Sequence, residues 1–350
     1  NQKRGMDKIV MKLLKKNVFQ MAWEQVSDIV PRNSSILITG ANGLIASDLV
    51  DTLMYFNKEY AINNKIIALC RNKERAQKRF ASFLDCPLFE LEIQDIREFR
   101  MERYVDYVVH AASNAHPKAY ATRPIETMQT NLLGTIQILN YASSEQCKKV
   151  VYVSTSEIYG EVPDGVDRFQ ETEFGCINTL NPRSCYSESK RCAETLCACY
   201  AKERGIDISI VRPGYIYGRQ ITEENSRADA QFLRKVLAKE NIIMKSKGEQ
   251  KRSYCYVMDA VTALLYVMVR GKTGEAYNIA NSNSEATIKQ FAETMAQIGE
   301  VCVEFDLPSE EERSGYSVIK NSLLDDGKLK KLGWKASYDL KQGLTAVIKG

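Results

Sequence analysis

The feature that most constrains the fold of this chain is a short apolar segment that runs directly into a glycine-rich turn. Residues 35–39 predict a buried strand, and Gly40-Ala-Asn-Gly-Leu-Ile-Ala46 follows with the spacing G-x-x-G-x-x-A. Gly40 permits the tight turn, and Gly43 lets the backbone approach a pyrophosphate. The helix predicted over 44–57 directs its N-terminal amide groups at that anion. We therefore predict a dinucleotide-binding turn with these cofactor contacts: Gly40, Asn42, Gly43, Leu44 and Ile45.

Short apolar strands alternate with helices as far as Arg212. Strands are predicted at 65–70, 88–93, 104–110, 149–154 and 208–212, and helices at 75–83, 124–143 and 186–204. This alternation is typical of an α/β fold with a Rossmann doubly wound parallel sheet. Beyond Arg212 the pattern becomes irregular, which indicates a smaller C-terminal substrate-binding domain. We predict a helical extension over 1–33, a cofactor-binding domain over 34–212 and a mainly substrate-binding domain over 213–350, with interleaved segments.

Charge and composition exclude several classes of protein. The 350 residues carry a net charge of +4, and residues 1–16 alone carry +5, so the rest of the chain is nearly neutral. A nearly neutral body lacks the electrostatic footprint of a nucleic-acid-binding protein. The two histidines exclude a site built on several imidazoles, and we predict no metal site. No apolar run reaches the roughly 20 residues of a membrane span.

The cysteines and the N-terminal segment carry weaker signals. Ten irregularly spaced cysteines predict reduced thiols in a cytoplasmic protein rather than disulfides or a zinc site. Apolar residues at helical spacing predict an amphipathic helix, or two, over 7–30. We expect it to pack on the body or on a neighbouring subunit; the alternative is a basic helix on an anionic membrane.

The end of the second predicted strand leaves the identity of the cofactor open. NAD sites of this class place an Asp or Glu there on the adenosine ribose, whereas this chain has Cys70-Arg71-Asn72. Arg71 can bind a 2′-phosphate, which favours NADP, or it can stack on adenine or face solvent, which leaves NAD. Asp95 and Ile96, after the third strand, are predicted to meet the adenine edge.

A candidate catalytic pair lies on the 186–204 helix. Tyr186 and Lys190 are four residues apart and share one helix face. A nearby Lys and an oxidised nicotinamide both favour the phenolate, so we expect the pKa of Tyr186 to fall below its usual value near 10. Tyr186 can then take a proton from a sugar hydroxyl. Ser154 and Thr155 end a strand at the ligand edge of the sheet, where a hydroxyl can share that substrate group.

Further motifs resemble the extended short-chain dehydrogenase/reductase family of NAD(P)-dependent nucleotide-sugar epimerases and dehydratases. The resemblance covers about residues 35–345 and includes His110-Ala-Ala-Ser113, Asn131-Leu-Leu-Gly-Thr135, Arg212-Pro-Gly-Tyr-Ile-Tyr-Gly218, Tyr277-Asn-Ile-Ala280 and Leu332-Gly-Trp334. It implies a tightly bound, recycled NAD or NADP, a nucleotide-sugar substrate and a homodimer formed through the 124–143 and 186–204 helices. The implied cofactor contacts are Ala111, Ala112, Ser113, Asn131, Val153, Tyr186 and Lys190. The implied substrate contacts are Ser156, His116, Tyr215, Arg227 and Arg252.

Three stretches are most similar to the UDP-glucuronate decarboxylases of that family. They are residues 110–131, Ser154-Thr-Ser-Glu-Ile-Tyr-Gly160, and residues 181–191 followed by Ala193-Glu-Thr195. The resemblance implies transient oxidation at C4 of the sugar, loss of the C6 carboxylate as CO2, and reduction at C4. It makes Tyr186, Lys190, Thr155, Glu157 and Arg252 the catalytic residues. On this resemblance, Arg252 is expected to bind the carboxylate or the phosphates, and Glu157 is expected to assist proton transfer at the ring.

Departures from the decarboxylase pattern keep other reactions open. Tyr215 stands where relatives usually have an Asn, residues 113–118 replace a Pro- and Ser-rich stretch, and residues 1–33 have no recognised counterpart. A 4,6-dehydratase of the GDP-mannose type and a 4-epimerase are the rival enzymes. A non-catalytic nucleotide-sugar or NADP sensor is the rival of another class, and the intact Tyr186 and Lys190 argue against it.

Overall fold

The central sheet consists of seven parallel strands. The computed structural model describes residues 17–115, 117–161, 163, 165–221, 225–307 and 321–350. The strands are β1 (Ser35–Thr39), β2 (Lys65–Cys70), β3 (Phe89–Ile93), β4 (Tyr107–His110), β5 (Lys149–Val153), β6 (Ile208–Pro213) and β10 (Ala276–Ile279). Their order across the sheet is β10-β6-β5-β4-β1-β2-β3, so the winding reverses between β1 and β4. The predicted doubly wound α/β fold is confirmed, and its reversal point opens a crevice at the carboxyl ends of the strands.

Helices cover both faces of this sheet. Along β1, Ile36 and Ile38 enter one apolar core and Leu37 enters the other, as the two-residue period of a strand requires. The first core is covered by α2 (Leu44–Tyr60) and α8 (Val257–Arg270). The second is covered by α5 (Pro124–Ser144) and α6 (Cys185–Arg204).

The predicted element boundaries shift where local capping decides them. The helix predicted over 75–83 is α3 (Lys73–Arg79), because the Asn72 side chain accepts from the backbone N–H of Arg75 and starts the helix earlier. The helix predicted over 44–57 continues to Tyr60 and ends at Ala61, which has a left-handed backbone conformation. The seventh strand, β10, was not predicted.

The C-terminal part of the chain forms smaller sheets and returns once to the main one. β9 (Lys251–Tyr256) pairs with β11 (Glu285–Thr287), β7 (Tyr215–Tyr217) and β13 (Asn321–Ser322), and β8 (Ile242–Met244) pairs with β12 (Val303–Phe305). The remaining helices are α4 (Pro117–Thr122), α7 (Ala228–Leu237), α9 (Ile288–Gly299), α10 (Gly327–Lys330) and α11 (Leu340–Lys349). Because α8 packs on the main sheet and β10 is one of its strands, residues 257–279 interleave with the cofactor-binding part. The boundaries of the predicted domains stay a prediction.

The N-terminal helix packs on the body of the protein. Its described part, α1, covers residues 17–26, and predicted positions 7–16 lie outside the described residues. Trp23 stacks on Tyr60 of α2 with 3.9 Å between ring centroids, and Phe19 stacks on Tyr55. The Tyr266 hydroxyl of α8 donates to the Gln25 carbonyl at 3.0 Å. No helix in the described ranges is long and apolar enough to cross a membrane.

Candidate active site

The glycine turn has the shape that a dinucleotide requires. Gly40 has φ +64°, and a Cβ there would lie 2.7 Å from the Cα of Ala112, so only glycine fits. The Gly43 N–H donates to the Gly40 carbonyl at 2.8 Å, and Gly43 caps α2. The first turn of α2, which begins with Leu44 and Ile45, contains no acidic residue, so its amide groups favour an anion. The buried Oδ1 of Asn42 has no hydrogen-bond partner in the described part of the chain, and a ribose hydroxyl can satisfy it.

Charged side chains lie at the end of the crevice where the sequence predicts that the adenosine binds, which we call the adenosine end. Arg71 donates to Oε1 of Glu126 at 2.7 Å, and Arg123 donates to Oε2 of the same carboxylate at 3.3 Å. Asp95 is bound by Arg97, with Nη2 2.6 Å from Oδ2, and this hydrogen bond lowers the pKa of Asp95. The structure therefore places Arg71 and Asp95 at neighbouring strand ends, each already paired.

Ile96 lies between the adenosine end and α5. It begins a short 3-10 helix, is buried, and faces Gly134 so closely that a Cβ there would lie 2.9 Å from its Cγ2. The predicted contacts of Asp95 and Ile96 with adenine stay predictions.

A buried polar network joins the turn to α5 and α6. The Thr39 hydroxyl accepts from the backbone N–H groups of Ala111 and Ala112, both at 3.1 Å. His110 is 2.8 Å from that hydroxyl through Nδ1 and 3.2 Å from Thr135 Oγ1 through Nε2. Burial lowers the pKa of His110 to about 3, so its imidazole is neutral at physiological pH and serves structure.

The network continues from α5 to the helix that carries Tyr186. Asn131 accepts from the Ser113 hydroxyl at 2.7 Å and donates to Ser189 at 2.9 Å. Ser189 in turn donates to the Tyr186 carbonyl at 3.0 Å. These bonds fix the placement of Tyr186 relative to the strand ends.

Lys190 contacts β5 in this structure, and its predicted effect on the pKa of Tyr186 stays a prediction. The Lys190 ammonium donates to the Val153 carbonyl at 2.8 Å and lies 4.8 Å from the ring centroid of Tyr152. The pKa of Tyr186 is raised, first by burial and next by the negative charge of Glu157. The groups that lower it are the Thr155 hydroxyl, through a hydrogen bond, and the guanidinium groups of Arg227 and Arg183. In this structure, desolvation outweighs the cations and keeps the phenol protonated.

Glu157 contacts two residues that the sequence analysis did not identify. Its Oε1 accepts from the Tyr120 hydroxyl at 3.2 Å, and its Oε2 lies 3.4 Å from Nη1 of Arg183. Tyr120 stacks on Tyr186 with ring centroids 5.0 Å apart, and Arg183 lies 4.1 Å above the Tyr120 ring. Both residues lie within the stretches 110–131 and 181–191, which are similar to the decarboxylases. That similarity was the sequence signal that could have identified them.

A second cluster of cations faces this group from the C-terminal part of the chain. Tyr215 lies beneath two guanidinium groups: Arg252 is 4.2 Å from its ring centroid and Arg227 is 6.0 Å from it. Burial acts to lower the pKa of Arg227, but the negative charge of its partner Asp229, with a smaller contribution from Glu157, raises it overall. Arg252 contacts Gln250 and Tyr254 rather than Tyr186. Ser156 begins the 3-10 helix that follows Thr155, and His116 lies outside the described residues.

A sequence model of the NAD dependent epimerase/dehydratase family matches residues 36–280. The chain belongs to this family. It is 33% identical over 316 residues to UDP-glucuronic acid decarboxylase 6 of Arabidopsis thaliana. This alignment covers 89% of this chain and 87% of that relative. It is 31% identical to UDP-glucuronic acid decarboxylase 1 of Xenopus tropicalis, over 89% of this chain and 71% of the relative. The predicted family resemblance is confirmed.

Solved structures of two nucleotide-sugar epimerases share this fold. UDP-glucose 4-epimerase of Thermotoga maritima, solved with UDP-glucose, matches with a TM-score of 0.74 and 25% identity over 90% of this chain and 97% of that one. UDP-glucuronic acid 4-epimerase of Bacillus cereus, solved with UDP-glucuronic acid and NAD, matches with a TM-score of 0.76 and 22% identity over 90% and 98%. At this identity the second match shows the fold alone.

Replacing Lys190 with Met tests the burial of its amine. Burial lowers the pKa of Lys190 from 10.5 to about 7, so between these values the unfolded chain binds more protons than the folded one. The wild type therefore gains stability as the pH rises through this window, and K190M does not. Relative to K190M, we expect the free energy of unfolding of the wild type to rise by up to about 1.4 kcal/mol per pH unit. Urea unfolding at several pH values measures this slope.

Lys202→Met is the matched control for this experiment. Lys202 is exposed on the same helix, so its replacement should leave the pH dependence of stability unchanged. Equal slopes for the wild type and K190M would contradict the burial of the Lys190 amine.

Proposed function

We propose that this protein decarboxylates UDP-glucuronate with a tightly bound, recycled nicotinamide cofactor. The residues that face the crevice support a reaction with two requirements. A proton must be removed from a sugar hydroxyl, and the negative charge of the substrate carboxylate must be stabilised. Tyr186 and Thr155 fit the first requirement, and Glu157 with the surrounding cations fits the second. The similarity to UDP-glucuronic acid decarboxylases over most of the chain supports the same substrate.

The proposed steps assign one task to each residue. A bound nicotinamide cofactor supplies reversible hydride transfer at C4 of the sugar. Arg227 and Arg183, together with the cationic nicotinamide, would favour the phenolate of Tyr186, whose phenol proton is released to solvent. The phenolate then receives the C4 hydroxyl proton, and the Thr155 hydroxyl orients that oxygen. The resulting 4-keto group makes the C6 carboxylate a β-keto acid, and cleavage of the C5–C6 bond releases CO2 and leaves an enolate. A proton from solvent reaches C5 of the enolate with the assistance of Glu157, and Tyr186 returns its own proton to the C4 oxygen as C4 is reduced.

The observation that carries this proposal is the position of the Glu157 carboxylate beside Tyr186. Glu157 raises the pKa of Tyr186, hydrogen-bonds Tyr120 and faces Arg183. A 4-epimerase needs only the Tyr and the cofactor, so a carboxylate at this point indicates an additional proton transfer. Arg252, over the Tyr215 ring, is proposed to bind the substrate carboxylate or the diphosphate.

The reaction is tested by incubating the protein with UDP-glucuronate and following the products by mass spectrometry. We expect loss of CO2 and formation of a UDP-pentose, and loss of turnover by at least about 100-fold in Tyr186→Phe, because the proton acceptor is gone. The Y186F variant should still bind the cofactor, which separates a chemical defect from a binding defect. Loss of water from GDP-mannose or dTDP-glucose would replace the proposal with a dehydratase. A product of unchanged mass would replace it with an epimerase.

Glu157→Gln tests the second proton transfer. We expect this variant to oxidise the substrate at C4 but to form the final product roughly 100-fold more slowly, because the amide cannot transfer the proton at C5. Mass spectrometry of the nucleotide sugars at short times would show the 4-keto species accumulate. Glu161→Gln makes the same chemical change at an exposed residue nearby and should leave turnover intact. Normal product formation by E157Q would remove Glu157 from the mechanism.

We also propose a homodimer formed through α5 and α6. These helices pack side by side, and α5 leaves apolar side chains exposed: Ile125, Met128 and Leu133. We expect sedimentation velocity to give the mass of a dimer for the wild type and of a monomer for Met128→Asp combined with Leu133→Asp. Ile243→Asp, an exposed apolar position on β8, is the control that should stay dimeric. A monomeric wild type would exclude this interface.

The state of the cysteines supports a reducing compartment. All ten cysteines are free. We therefore propose a cytoplasmic protein, which cell fractionation tests.

A further inference from the structure

The adenosine end of the crevice contains an ion pair that the proposed reaction does not use. Arg71, directly after β2, donates to Glu126 of α5 at 2.7 Å, although the two residues are 55 positions apart. Arg123 occupies the other oxygen of the same carboxylate. The Arg71 side chain is half exposed at 51%, so a ligand in the crevice can reach it, and the Glu126 side chain is 24% exposed.

The end of β2 is where this class of fold distinguishes its two cofactors. An acidic residue there suits the ribose hydroxyls of NAD, and a free Arg suits the 2′-phosphate of NADP. This chain has the Arg at that position, but its guanidinium group already has an anionic partner. The other nearby acid, Asp95, is also within reach of the charge of Arg71, but it is hydrogen-bonded to Arg97 of its own turn. Glu126 is therefore the carboxylate that forms the ion pair with Arg71.

We propose that Glu126 makes the site select NAD over NADP. It occupies and neutralises Arg71, which would otherwise attract a 2′-phosphate, so that phosphate would have to break an existing ion pair. A phosphate placed on Arg71 would come within about 6 Å of the Glu126 carboxylate, where like charges repel. The uncharged 2′-hydroxyl of NAD leaves the ion pair intact. This inference rests on the proposed cofactor site but not on the reaction that follows.

The two cations on Glu126 strengthen this assignment. Hydrogen bonding from Arg71 is the main cause of the lowered pKa of Glu126, so the carboxylate stays ionised near neutral pH. Removing its charge would release Arg71 and Arg123 together. The wild-type selectivity therefore depends on one acidic side chain that comes from a helix distant in sequence.

Competition between the two nucleotides tests this inference without using catalysis. The full chain is incubated with an equimolar mixture of NAD+ and NADP+ until exchange is complete, and gel filtration removes the unbound nucleotide. Mass spectrometry of the released nucleotide then gives the ratio of bound NAD to bound NADP. We expect the wild type to retain mainly NAD, and Glu126→Gln to shift the ratio toward NADP by about tenfold, the effect of one charge-assisted hydrogen bond.

Two further variants make the result specific. Glu98→Gln removes the same charge from an exposed acid near Arg97 and should leave the ratio unchanged. Adding Arg71→Ala to E126Q should abolish the gain for NADP, because the released cation is then missing. A wild type that prefers NADP, or an E126Q variant with the wild-type ratio, would overturn the inference. Retention of neither nucleotide by the wild type would instead overturn the cofactor site and the proposed function with it.

Discussion

The site depends on the close approach of two strand ends, those of β1 and β4. Gly40 approaches Ala112 so closely that no side chain fits between them, and the Thr39 hydroxyl accepts from the amide groups of both Ala111 and Ala112. These contacts lie where the strand order reverses, so they define the floor of the crevice. A wider separation here would displace both the phosphate-binding turn and the residues after β4.

The same contact point is the start of a hydrogen-bonded path through the core. It passes from Thr39 through His110 and Thr135 to Asn131, and from there to Ser189. Each member is buried, so an unsatisfied group anywhere along the path would cost stability. The path connects the cofactor turn to the helix that carries Tyr186, which explains why polar residues occupy positions that apolar packing alone would leave to Val or Leu.

Burial also sets the protonation states in the crevice. It lowers the pKa of Lys190 to about 7 and raises the pKa of Tyr186, so both groups favour their neutral forms. Arg227 and Arg183, which come from separate segments, act against this effect at the phenol. A cationic nicotinamide ring would act in the same direction, so the proton affinity of Tyr186 depends on what occupies the crevice.

Local patterns of residues were enough to predict several features of this protein. The turn at Gly40 and Gly43, the alternation of strands and helices, and the Tyr186–Lys190 pair were all predicted, because each depends on residue types a few positions apart. Tertiary structure decided which distant side chains meet. The order of strands in the sheet brings together three sets of side chains that are distant in sequence. Arg71 pairs with Glu126, Glu157 contacts Tyr120 and Arg183, and the Lys190 side chain donates to the Val153 carbonyl. Side-chain pairing and desolvation depend on this three-dimensional placement, which no local pattern of residues specifies.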